Sequence, residues 1–194
     1  MSKFRGVKTD NAKITSKVDI RKESLKFIKD SSVLEVFCGA GEMYKDVWQE
    51  ANNYTGIDKR KFFDKRHTLC GDALSVVKQI DISGYNIFDI DAYGSPYHIL
   101  LEIAQRIDLD HVSFCITDGT NMDLKMGRVS RGLREILGAE NKILKKAHIV
   151  HDLLISQVID RIASITSMEV VKKRIARGIT GSSMRYYAFD MSKL

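Results

Sequence analysis

Glu35-Val36-Phe37-Cys38-Gly39-Ala40-Gly41 decides how the rest of the chain is read. Val33 to Phe37 is a short apolar run of strand type. The two glycines turn it into a helical stretch that runs through Val47-Trp48. Glycine lets backbone approach a ligand closely, and the helix N-terminus turns positive potential towards the turn. A dinucleotide fingerprint would need a third glycine at residue 44. Tyr44 stands there, which argues against a pyrophosphate ligand. Glu35, leading into the turn, suits a cofactor with a cationic amino-acid tail. A tight turn that needs glycine only for packing is the plainer alternative.

Strand and helix patterns alternate outward from this point. Val18 to Ile28 predicts a short amphipathic helix, with Ser16 and Asp19 as an N-cap pair. Tyr54–Ile57, Thr68–Cys70, Tyr85–Ile90 and His111–Thr117 read as further strands, and 72–80 and 99–107 as helices. This rhythm predicts an α/β fold with a mostly parallel sheet and helices on both faces. It breaks after residue 118. Residues 123–146 are polar, basic and punctuated by glycine, and read as an insertion at about 119–147. Ile149–Ile165 predicts a packed helix. Residues 168–176 and 183–191 read as an antiparallel hairpin around the loop 177–182. The expected architecture is a Rossmann-like, seven-stranded, mostly parallel sheet with a C-terminal antiparallel hairpin. Residues 1–29 form a basic helical extension before a single domain of 30–194.

Composition sets the wider limits. The 194 residues suit one domain, and 31 Lys+Arg against 25 Asp+Glu leave a net charge of +6. That balance favours a polyanionic partner, nucleic acid first. No apolar run reaches the roughly 20 residues that span a bilayer. The polar, basic N-terminus has no signal-type apolar core, so a cytoplasmic protein without a membrane partner is expected. Cys38, Cys70 and Cys115 lack metal-ligand spacing and read as reduced core residues. His148 and His151 read as helix-surface residues, and no metal is expected.

Acids stand at two more strand ends. Asp58 closes the second strand, where a carboxylate can accept both hydroxyls of a ribose. Asp72 follows the third, within reach of an adenine amine. Taken alone, Asp58 reads equally as a turn residue and Asp72 as a helix N-cap. Together with the glycine turn, this pattern resembles the class I S-adenosylmethionine-dependent methyltransferases over residues 30 to 118. The closing hairpin agrees with that layout. The resemblance implies S-adenosylmethionine as cofactor. It assigns Glu35, Gly39 and Gly41 to the methionine end, Asp58 to the ribose, and Asp72 and Ala73 to the adenine, with Phe37 and Lys59 also in the cofactor-binding set. Asp89, on the fourth strand, joins the cofactor set.

The fourth strand ends in Asp89-Ile90-Asp91-Ala92-Tyr93-Gly94-Ser95-Pro96, which holds the single proline. The string resembles the Asp-x-Asp-Pro-Phe-Gly-Ser-Pro turn of the tRNA guanine-N2 dimethyltransferases, with Ala92 where proline would stand. The resemblance implies transfer of a methyl group to an exocyclic base nitrogen, in RNA. Asp91 would accept the amine, Tyr93 would stack on the base, and Gly94, Ser95 and Pro96 would shape the acceptor pocket. Phe114-Cys115-Ile116-Thr117-Asp118 resembles the same family's stretch after the fifth strand and brings Asp118 to that pocket. A tight loop that merely starts the next helix is the plainer reading of Ser95-Pro96. Arg128, Arg131 and Arg134 recur every three residues, extended by Lys125, Lys142, Lys145 and Lys146. They read as phosphate contacts or as a solvated face. DNA amino-methylation, a small-molecule acceptor and a non-catalytic subunit that keeps the cofactor fold are the alternatives.

Overall fold

The structure is a computed structural model that describes residues 14–140, 147–177 and 184–193. Seven strands form one sheet: β1 (Ser32–Val36), β2 (Asn53–Asp58), β3 (Thr68–Cys70), β4 (Ile87–Asp91), β5 (His111–Asp118), β6 (Glu169–Arg177) and β7 (Arg185–Ser192). Their order is β3-β2-β1-β4-β5-β7-β6. The first five are parallel, and β7 lies antiparallel between β5 and β6. This is the expected fold class. The hairpin loop, the first thirteen residues and Lys142, Lys145 and Lys146 lie outside the described residues.

Period-two alternation gives the sheet two unlike faces. On one, Leu34, Val36, Phe88, Ile90, Phe114 and Phe189 are buried under α3 (Ala73–Gln79), α4 (Tyr97–Ala104), α6 (Arg131–Leu137) and α7 (His151–Thr166). Phe88, Phe114 and Phe189 stack across neighbouring strands, with centroids 5.5 and 5.1 Å apart. The other face is covered by α1 (Ile14–Phe27) and α2 (Glu42–Asp46). There Ile20, Met43 and Trp48 pack around buried Glu35, Asp89 and Asp190.

Some expectations change. α1 begins before Ser16, so that residue lies inside the helix instead of capping it. The basic segment after β5 is folded into α5 (Asn121–Lys125) and α6, whose Leu124, Leu133 and Ile136 enter the main core. Cys38 and Cys115 are buried, but Cys70 is exposed because β3 is an edge strand. His151 is buried and not on the surface, as α7 turns it inward. No helix among the described residues is long and apolar enough to cross a membrane.

Candidate cofactor and acceptor site

Parallel strands put all their carboxyl ends on one edge, so the glycine turn, Asp58, Asp72, Asp91 and Asp118 gather there. The turn after β1 is held in left-handed backbone conformations at Phe37, Gly39 and Gly41 (φ 68°, 47° and 82°). The amides of Phe37 and Cys38 both donate to the Ile57 carbonyl, which ties the turn to β2. Gly41 is favoured both by its conformation and by its neighbour. Its φ suits glycine, and a Cβ would stand 2.6 Å from the Arg66 guanidinium. Asp58 accepts from the Gly39 amide at 3.0 Å and from the Arg60 amide at 2.9 Å. Each oxygen keeps a further lone pair for a hydroxyl. The left-handed turn and the half-buried Asp58, with its spare lone pairs, therefore fit a ribose-bearing cofactor.

Glu35, Asp89 and Asp72, the other acids expected on the cofactor side, each have a partner within the chain. Glu35 is 1% exposed and accepts from the Tyr54 hydroxyl at 2.5 Å, under the turn and not on the crevice. Burial, then the nearby Asp89 charge, push its carboxyl up to about 8. Asp89 is fully buried. It accepts both nitrogens of the Arg21 fork at 2.7 and 2.6 Å, and the Trp48 indole at 2.8 Å. Asp72 is the N-cap of α3, accepting from the amide and hydroxyl of Ser75. It also lies 3.6 Å from Lys59, both side chains being exposed. Ala73 behind it is buried.

The loop expected to face the acceptor follows β4. Asp91 points to the same face as Asp89 and meets Lys17 of α1 at 2.6 Å, with 20% of its side chain exposed. Burial alone would raise its carboxyl. Lys17 and Arg21 outweigh that and hold it below the ordinary range. Tyr93 is 59% exposed. The loop is latched from two sides. The Gly119 amide donates to the Gly94 carbonyl at 3.0 Å, and a Cβ on Gly119 would fall 2.0 Å from the Tyr93 carbonyl oxygen. Ser95 donates to Ser130, the N-cap of α6, at 2.8 Å. Pro96 stands just before α4, consistent with the helix-start role.

Asp118 is wholly buried. It accepts from Tyr97, from the Thr120 amide at 2.8 Å, and lies 2.8 Å from His151 Nε2. It braces the acceptor loop from behind by joining β5, α4 and α7. The three arginines do not form one stripe. Arg128 precedes α6 and pairs with Asp123, while Arg131 pairs with Glu135. Arg134 lines a concavity of about 370 Å³ along α6 with Arg131 and Gly138. Among the described residues, no cluster of His, Cys, Asp and Glu could hold a metal ion.

Sequence patterns did not single out Lys17, Arg21 or Tyr54 as site residues. One signal was available for the first two. Four helical residues rise about 6 Å and two strand residues about 6.6 Å. Lys17 and Arg21 therefore match the spacing of Asp91 and Asp89 if the helix lies antiparallel to β4.

No family model matches the chain, and no curated protein matches it in sequence. Solved structures match its fold. Trm1 from Pyrococcus horikoshii, in complex with S-adenosyl-L-methionine, has a TM-score of 0.63 at 12% identity, over 96% of this chain and 56% of that one. The N-methyltransferase NodS from Bradyrhizobium japonicum WM9, with S-adenosyl-L-homocysteine, has a TM-score of 0.56 at 12% identity, over 93% and 86%. The plantazolicin methyltransferase BpumL, also with S-adenosyl-L-homocysteine, has a TM-score of 0.52 at 15% identity, over 95% and 85%. The fold is thus one that methyltransferases use.

Proposed function

We propose that this chain is an S-adenosylmethionine-dependent methyltransferase acting on an exocyclic base nitrogen of nucleic acid, RNA in the first instance. The observation that carries the reading is the position of Asp91 and Tyr93. Asp91 ends, and Tyr93 follows, the strand that pairs directly with β1, beside the left-handed glycine turn. Such a turn in this fold, with Asp58 at the next strand end, supports a sulfonium cofactor. Backbone at Phe37, Gly39 and Gly41 would line its methionine end, Asp58 its ribose, and Asp72 with Ala73 its adenine. When bound, that cofactor supplies an already activated methyl group.

The chain's own task is then to orient a poor nucleophile. An aromatic amine shares its lone pair with the ring. The Asp91 carboxylate, with the Ala92 carbonyl, can accept its N–H bonds and draw that pair out of conjugation. Tyr93 offers a half-exposed ring for the base to stack on. Positioning of this kind is worth up to ~7–11 kcal/mol in favourable cases. The nitrogen must lose one proton on alkylation, and Asp91, kept ionised by Lys17, can receive it. Asp118, through the Gly119–Gly94 bond, would hold the loop still.

The test is tritiated methyl transfer into total tRNA, rRNA and DNA, followed by nucleoside analysis. Asp91→Ala should cut incorporation at least ~100-fold, the low end for a lost general base; unchanged incorporation overturns its role. Isothermal titration with the cofactor, repeated on Asp58→Ala, tests the binding half separately. One observation favours a second reading, a non-catalytic subunit that keeps the cofactor fold. The Lys17 ammonium already occupies the Asp91 carboxylate at 2.6 Å, as an acceptor amine would. Cofactor binding without transfer into any nucleic acid would support that alternative.

A further inference from the structure

The crossover from β2 to β3 is made by residues 59–67, Lys-Arg-Lys-Phe-Phe-Asp-Lys-Arg-His, with no helix. Parallel strands are usually joined by a longer crossover that carries one. Both ends of this loop are pinned. The Arg60 amide donates to Asp58, and the His67 carbonyl accepts from Gly56. Arg66 is clamped at the centre. Its guanidinium donates to both Asp64 oxygens at 2.7 to 3.0 Å, and to the Cys38 and Gly39 carbonyls at 3.3 and 3.0 Å. Phe62 lies half-buried beneath it, with the ring centroid 5.4 Å from the guanidinium. The loop is thus fastened to the glycine turn, on the edge that carries the acceptor loop.

What this clamp presents outward is unusual for a soluble surface. Phe63 is 90% exposed, with the Lys61 ammonium 5.3 Å from its ring centroid. Arg60, Lys61 and Lys65 are exposed and make no ion pair among the described residues. Asp64 is the one acid in the loop, and Arg66 holds it. An exposed aromatic ring beside Lys61, with the unpaired cations Arg60 and Lys65 in the same loop, matches the two needs of an unpaired polynucleotide, a stacking face and phosphate neutralisation. Because the loop is held in place beforehand, little ordering entropy opposes binding.

We infer that residues 59–67 bind an unpaired nucleic-acid strand, with Phe63 stacking on a base and Arg60, Lys61 and Lys65 contacting its phosphates. The inference rests on the nucleic-acid reading of the acceptor and extends the substrate track away from Asp91. It implies a substrate held by flanking single-stranded nucleotides, beyond the base that reacts.

Fluorescence anisotropy with a labelled single-stranded RNA of about 15 nucleotides, a length suited to such tracks, tests it on the full chain. Phe63→Ala should weaken binding roughly 5- to 150-fold, and Phe63→Trp should stay close to the parent. Its melting temperature should hardly move, since an exposed side chain contributes little to stability. Replacing Arg60, Lys61 and Lys65 together by Ala should lower the slope of log K against log salt by about 2. If the parent binds RNA and Phe63→Ala binds equally well, the loop inference fails and the nucleic-acid acceptor stands. If the parent binds neither RNA nor DNA, both fail. Phe63-dependent binding to anionic phosphatidylserine vesicles, with none to RNA, would overturn the inference in favour of a lipid surface.

Discussion

The two faces of the central sheet are stabilised in different ways. Under α4, α6 and α7 the contact is apolar, built on the Phe88–Phe114–Phe189 stack. Under α1 an apolar cluster around Ile20, Met43 and Trp48 is interleaved with ion pairs: Arg21 on Asp89, Lys17 on Asp91, and Arg174 with Ser24 and Ser113 on Asp190. Apolar packing is indifferent to direction and contributes in proportion to area. A buried ion pair contributes little net stability, because desolvation offsets much of the attraction, but it demands one geometry. The face with the ion pairs is also the one that ends in Asp91, the carboxylate proposed to meet the acceptor. The contrast suggests a division of labour, with one face holding the fold and the other aiming Asp91.

The largest effects should come from the centre of each face. Arg21→Ala leaves Asp89 buried with only Trp48 as partner and should cost about 3–5 kcal/mol in chemical denaturation. Phe114→Ala should cost a similar ~3–5 kcal/mol through a cavity. The faces separate in the next step. Arg21→Met combined with Asp89→Leu should recover most of the loss, since an apolar pair of similar volume carries no stranded charge. If the double variant is as unstable as Arg21→Ala, the division of labour is wrong.

A smaller effect of opposite sign should appear at Glu35. Its carboxyl titrates near 8 in the fold, against about 4.3 in an unfolded chain. The unfolded state therefore ionises first as pH rises, and stability is lost between those two values. Glu35→Gln keeps an acceptor for Tyr54 and should be more stable than the parent at pH 8, on the order of 1–3 kcal/mol, the usual cost of a mismatched buried polar group. The advantage should vanish near pH 4. Thermal unfolding across that range checks it, and cofactor titration on the same variant asks whether Glu35 touches the ligand at all.

Lys17→Met should cost less stability than Arg21→Ala, because its pair with Asp91 keeps 16% and 20% of the two side chains exposed whereas the Arg21–Asp89 pair is fully buried. Its signature is in pH. Asp91 is held low in the parent, so its contribution is present above the ordinary carboxylate value and is lost as pH falls through the lowered one. Without Lys17 that loss should begin at higher pH, and the acid limb of methyl transfer should move the same way. An unmoved acid limb would mean that Lys17 does not govern Asp91.

The strand-end residues were legible from local pattern because each sits where an apolar run stops at a turn. Gly39, Gly41, Asp58 and Asp91 needed no partner to be noticed. Asp118 could be noticed as a strand-end acid but not as a buried brace, because Tyr97 and His151 reach it from other elements. The arginine row was legible as charge. Its partition between α6 and the preceding loop, and its pairing with Asp123 and Glu135, depended on where the helix began.

By itself, the amino-acid sequence determined the alternation of strands and helices, the glycine turn and the order of acids along the chain. Those follow from side-chain period and backbone preference within a few residues. Only the tertiary structure decided what each acid faces. Glu35, Asp89 and Asp91 share one side of adjacent strands, yet one meets a phenol, one an arginine fork and one a lysine. Those partners come from residues far away in the chain, and a carboxylate's charge state is set by what folding brings beside it.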